Sequence, residues 1–151
     1  VVAVEAPVSI GLATRRVARL WGIERGTERI RRRVLDVIRS SCPEVRIEGE
    51  FLWAREQEAA RFSGFRVPTE NPSSLREAED IPREEAANAA AALLPRLVSL
   101  PRRDLVREMA KLFGFQRLGR RVEERMDEGV RLLADRGGCV VSGDLVSLTR
   151  G

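Results

Sequence analysis

The sequence predicts a mainly α chain with small β-hairpins (α+β), arranged as a tandem winged-helix-like repeat. Three observations carry that expectation. Residues 12–39, LATRRVARLWGIERGTERIRRRVLDVIR, align without gaps to residues 104–131, DLVREMAKLFGFQRLGRRVEERMDEGVR, at an offset of 92. In each copy, apolar residues recur at helical spacing along two successive runs. Each copy then closes on two short apolar stretches around Glu-Gly-Glu or Ser-Gly-Asp, the pattern of a hairpin. A fixed internal period is sought first because it ties each local reading to its counterpart.

Taken in order, residues 1–4 (Val-Val-Ala-Val) read as strand-like. A helix follows over 10–21 and stops at Gly22, as its counterpart over 102–113 stops at Gly114. Glycine just past the last periodic residue is a C-cap signal. Pro101 sits where a helix tolerates proline, at its first turn. The second helix of each copy spans about 27–41, with Thr27 as N-cap, and about 118–136. Its apolar line is Ile30, Val34, Val37 and Ile38 in the first copy and Val122, Met126, Val130 and Leu133 in the second. The hairpins fall at 45–53 and 139–148. Before the second copy, Ile81-Pro82 opens an alanine-rich run that predicts a leading helix. Pro82 suits its first position and Pro95 its end or a kink. Residues 97–100 then suit a short strand beside the hairpin. The first copy shows no such leading helix. The domain reading is therefore 1–54 for the first repeat, 55–80 for a linker punctuated by Pro68 and Pro72, and 81–151 for the second repeat. Residues 65–68, FRVP, could add one strand within that linker.

Composition narrows the chemistry. Among 151 residues there are 26 Arg, one Lys and no His, with 23 acidic residues and a net charge of +4. Without histidine, His-based acid–base catalysis and His metal sites are excluded. No phosphate-loop or dinucleotide-binding glycine motif is present, so no catalytic residue, cofactor or metal is expected. Cys42 and Cys139 read as small apolar residues of a reducing compartment, and a cytoplasmic location is expected. The absent initiator Met suggests a piece of a longer polypeptide. The charge is uneven: residues 1–53 carry a net +3, residues 54–84 a net −2 and residues 85–151 a net +3.

The matched arginines form a pattern. Arg25, Arg29 and Arg33 are spaced by four, as are Arg117, Arg121 and Arg125, and Arg32 and Arg120 add charge to the same helices. If each helix starts at the first of its set, these residues share one face. In a winged helix that helix enters the DNA major groove, where arginine binds phosphates or guanine edges. The candidate nucleic-acid-binding set is therefore Arg25, Arg29, Arg32, Arg33, Arg117, Arg120, Arg121 and Arg125. Nearby acids, Glu28, Glu50, Glu124 and Glu128 among them, offer the opposite outcome of internal ion pairs. Trp21 and Phe113 are expected in the core, and Trp53 beneath its hairpin.

The pattern EAPVSIGLATRRVARLWGIERGTERIRRRV, then GEFLW, then IPREE with its alanine-rich helix, then RDLVREMAKLFGFQRLGRRV, resembles a bacterial domain of unknown function. That domain lies at the C-terminal end of very large superfamily 1 DNA helicase-like, endonuclease-associated proteins. The resemblance implies a setting in DNA metabolism and assigns no residue. Together these readings give an expected function. The chain is expected to be a non-catalytic nucleic-acid-binding accessory module of a larger ATP-dependent DNA helicase. Its partners would be duplex or forked DNA and the rest of the parent chain, with no membrane. The alternative is a protein–protein interaction or dimerisation module built on winged helices.

Overall fold

A computed structural model describes residues 1–149, and they form an α+β structure of six helices and two three-stranded antiparallel sheets. The chain divides into two compact units, Val1–Arg61 and Phe62–Gly151.

Unit 1 opens with a short helix, α1 (Val2–Glu5), where a strand was expected. Its amides close onto Val1 and Val2, and the Glu5 carboxylate is 2.9 Å from Arg16 of the next helix. Pro7 ends it by holding Ala6 extended. Strand β1 (Val8–Ser9) comes next. Ser9 then caps α2 (Ile10–Leu20), its hydroxyl accepting the Leu12 N–H at 2.9 Å. Helix α3 (Glu28–Ser41) starts after Thr27, whose hydroxyl accepts the Ile30 N–H at 3.4 Å. Strands β2 (Val45–Glu48) and β3 (Phe51–Ala54) make the hairpin, and β1 pairs on the other side of β3. Val8, Ile10, Ala13, Leu35, Ile38 and Leu52 form the core. Trp53 is buried, as expected; Trp21 is 64% exposed, against expectation.

Unit 2 contains α4 (Arg83–Leu97), β4 (Ser99–Pro101), α5 (Arg102–Leu112), α6 (Arg120–Asp135), β5 (Cys139–Ser142) and β6 (Leu145–Leu148). Here β4 and β5 flank β6. The core runs through Leu94, Leu105, Met109, Phe113, Met126, Val130 and Val146. Pro95 falls in the last turn of α4, which ends two residues past it at Leu97. Residues 65–68 form no strand. The Arg66 amide that a ladder would use donates to the Glu85 carboxylate at 3.0 Å instead. Residues 62–80 lie within the stretch expected as a linker, yet they pack on this unit and bury Ala78 and Asp80.

The two units share an order of elements. Helices α2 and α5 are offset by 92 residues at both ends, and so are the starts of α3 and α6. Gly22 and Gly114 both adopt positive φ, 71° and 86°. Around them, Ile23 N–H donates to the Ala18 carbonyl as Phe115 N–H donates to Ala110, each closing a helix end in the same way. Even the third strand keeps its register. Val8 pairs with Leu52 and Leu100 with Val146, Ser9 with Phe51 and Pro101 with Leu145.

Candidate nucleic-acid interface

The arginines expected to bind nucleic acid divide by unit. Helix α3 starts at Glu28 and α6 at Arg120. Arg25 and Arg117 therefore lie in the turns ahead of the helices, not on them as a helix starting there would require. The helical stripe is Arg29, Arg32 and Arg33 in α3, and Arg120, Arg121 and Arg125 in α6.

In unit 1 the stripe is open. Arg25, Arg29, Arg32 and Arg33 are all exposed. Arg25, Arg29 and Arg33 have no partner among the described residues. Among the described residues Arg32 has only Glu28, one turn back at 3.5 Å, with both groups largely in solvent. An exposed pair of this kind holds its arginine weakly. Arg29, Arg32 and Arg33 border one shallow surface depression that also includes Glu28 and Asp36. A second depression lies at the start of α3, between Arg15, Arg25 and Arg31, with Gly26 and Thr27 on its floor. Arg31 is committed to Glu50 of the hairpin at 2.7 Å.

In unit 2 each arginine of the helical stripe has an acidic partner, and the Arg120 and Arg121 pairs lie largely in solvent as the Arg32 pair does. Arg120 meets Glu124 at 2.8 Å, Arg121 meets Glu79 at 2.9 Å and Arg125 meets Glu128 at 2.9 Å. The Glu124 hydrogen bond and charge raise the pKa of Arg120 above its ordinary value. Of the second set, Arg117 alone is exposed with no partner among the described residues.

With this geometry in view, the chain can be set beside known families. Residues 1–32 match a family described as a protein of unknown function (DUF3320). The matched stretch runs from α1 into α3 and includes Arg25, Arg29 and Arg32. No curated protein and no solved structure matches the chain.

Sequence reasoning missed one feature of unit 1. Leu20, Trp21 and Val37, at 78%, 64% and 42% exposure, form an apolar face beside the stripe, with Arg33 on its rim. The signal was present in the repeat: the second copy has a leading helix and the first has none. Among the described residues, no helix is long and apolar enough to cross a membrane.

Proposed function

We propose that the chain is a non-catalytic nucleic-acid-binding module, built as two winged-helix-like repeats and serving a larger DNA helicase-like protein. The single observation that supports binding is the unpaired, exposed set of Arg25, in the turn ahead of the second helix of the first repeat, and Arg29 and Arg33 on that helix. Guanidinium groups with no carboxylate to satisfy them are available to phosphate, where they bond bidentately. Their counterparts Arg121 and Arg125 each face a carboxylate, Glu79 and Glu128, that competes with phosphate. On this reading the first repeat holds the nucleic acid and the second is a structural support. The helicase setting rests on the resemblance of the sequence pattern.

The experiment is titration of labelled duplex, forked and single-stranded DNA with the chain at low and moderate salt. Counterion release from phosphate contacts makes affinity fall steeply as salt rises. Salt-dependent binding to at least one of these is expected, and none to any of them would overturn the proposal. A second reading, a protein-interaction module, is favoured by the paired arginines of α6. It gains if the chain binds no nucleic acid.

A further inference from the structure

The two helix pairs differ in what covers them. In unit 2, residues 62–97 lie over α5 and α6. Ala86 stands above Gly129 so closely that a Cβ there would come within 2.5 Å of the Ala86 Cβ. Phe65 meets the Phe113 ring edge-on at 6.3 Å between centroids, and the Arg76 guanidinium carbon lies 5.9 Å from that ring's centre. Phe113 is only 3% exposed as a result. Its counterpart in unit 1, Trp21, is 64% exposed, and Val37, the counterpart of Gly129, is 42% exposed. The last turn of α4, residues 94–97, does have an equivalent, because α1 stands 92 residues before it. Past α1 an apolar groove of about 800 Å³ runs between α2 and α3.

We propose that this groove is the docking site for a partner segment with the chemistry of residues 62–93. That segment is a helix with small residues on its inner face and a carboxylate just ahead of its first turn, preceded by an aromatic-bearing strap. Charge complementarity supports this occupant. In unit 2, Arg121 takes Glu79 from ahead of α4 at 2.9 Å. The equivalent arginine of unit 1, Arg29, is exposed and has no partner among the described residues. The docked helix runs in the direction of α4 and ends against α1. Because Val37 stands where unit 2 has Gly129, the helix sits further out than α4 does, or carries glycine opposite Val37. This role does not depend on phosphate binding.

The test titrates the whole chain with a synthetic peptide of residues 62–93, which stops where α1 takes over. That peptide contains no tryptophan. Trp53, at 2% exposure, serves as a constant background, so a change in emission reports Trp21. The expected result is a saturable blue shift that is lost in Trp21→Phe. Leu20→Asp and Val37→Asp alter exposed side chains and so leave the fold intact, which circular dichroism checks. Each is expected to weaken binding about tenfold or more, the scale set by burying one aliphatic side chain. Arg29→Glu is expected to weaken it as well. The proposal is overturned if no saturable shift occurs, or if both aspartate variants bind as tightly as the parent. It is also overturned if sedimentation shows the chain alone dimerising and Val37→Asp abolishing that dimer, since the groove would then belong to a second copy.

Discussion

Glu85 is a fully buried carboxylate in the first turn of α4, and two arginines hold it. Arg66 donates to it through its backbone amide and guanidinium, and Arg76 donates through both terminal nitrogens at 3.0 and 2.8 Å. Arg76 also donates to the Arg66 carbonyl at 2.8 Å, so one acid ties residues 66 and 76 to the helix. Removing one partner of a buried ion pair leaves the others uncompensated, which costs about 3–5 kcal/mol. Glu85→Ala is therefore expected to lower the stability of unit 2 by that order, read from its urea midpoint. A second acid gives a pH dependence. Burial by itself would raise the Asp127 carboxyl, but hydrogen bonds from Arg102 at 2.5 Å and Arg131 at 2.6 Å outweigh it and hold the pKa below the ordinary aspartate range. A carboxyl depressed in the folded state stabilises above its unfolded pKa of about 3.9, and that stability is lost as pH falls through the folded value. The urea midpoint is thus expected to drop on acidification toward pH 2, and less steeply in Asp127→Asn. The positions corresponding to Arg102 and Asp127 are Ile10 and Leu35, both core residues of unit 1. The same pair of sites is charged in one unit and apolar in the other.

At the scale of elements, the close contact of α4 with α6 depends on Gly129. A methyl group there would meet Ala86 Cβ at 2.5 Å and the Ala86 backbone at 2.7 Å. Alanine is a better helix former than glycine by about 1 kcal/mol. Overpacking a tight contact costs about 1–3 kcal/mol, so Gly129→Ala is expected to destabilise despite the propensity gain, seen as a lower thermal midpoint. Helices of this kind were legible in the sequence. Thr27 caps, Gly22 and Gly114 terminate, and the apolar spacing fixes the face between them. The elements that were not legible owe their form to distant partners. Residues 65–68 have a strand-like composition, but the buried Glu85 captures the Arg66 amide. Residues 1–4 are rich in valine and still coil into α1, where Val2 packs on the unit 1 core and Glu5 meets Arg16. Trp21 follows the same helical spacing as Phe113, yet spacing cannot say whether a covering segment exists, and only unit 2 has one.

For the whole molecule, the repeat located six of the eight candidate arginines but could not separate the two sets. Charge spacing is the same in both; the difference lies in where the acids fall. Glu124 and Glu128 share α6 with their arginines, and Glu79 reaches Arg121 from 42 residues away. That last contact depends on the fold of residues 62–80 and has no local signature. The first repeat thus leaves Arg25, Arg29 and Arg33 without carboxylate partners among the described residues, while the second pairs its helical arginines with acids. This asymmetry is tested most directly by the salt dependence of DNA affinity for two triple variants, Arg25→Gln/Arg29→Gln/Arg33→Gln and Arg120→Gln/Arg121→Gln/Arg125→Gln. Each lost phosphate contact lowers the slope of log affinity against log salt by about one. The first variant is expected to bind more weakly, with a slope shallower by about two to three units, and the second to keep the parent slope. Equal loss in both variants, or loss in the second alone, would contradict a DNA-binding role for the first repeat alone.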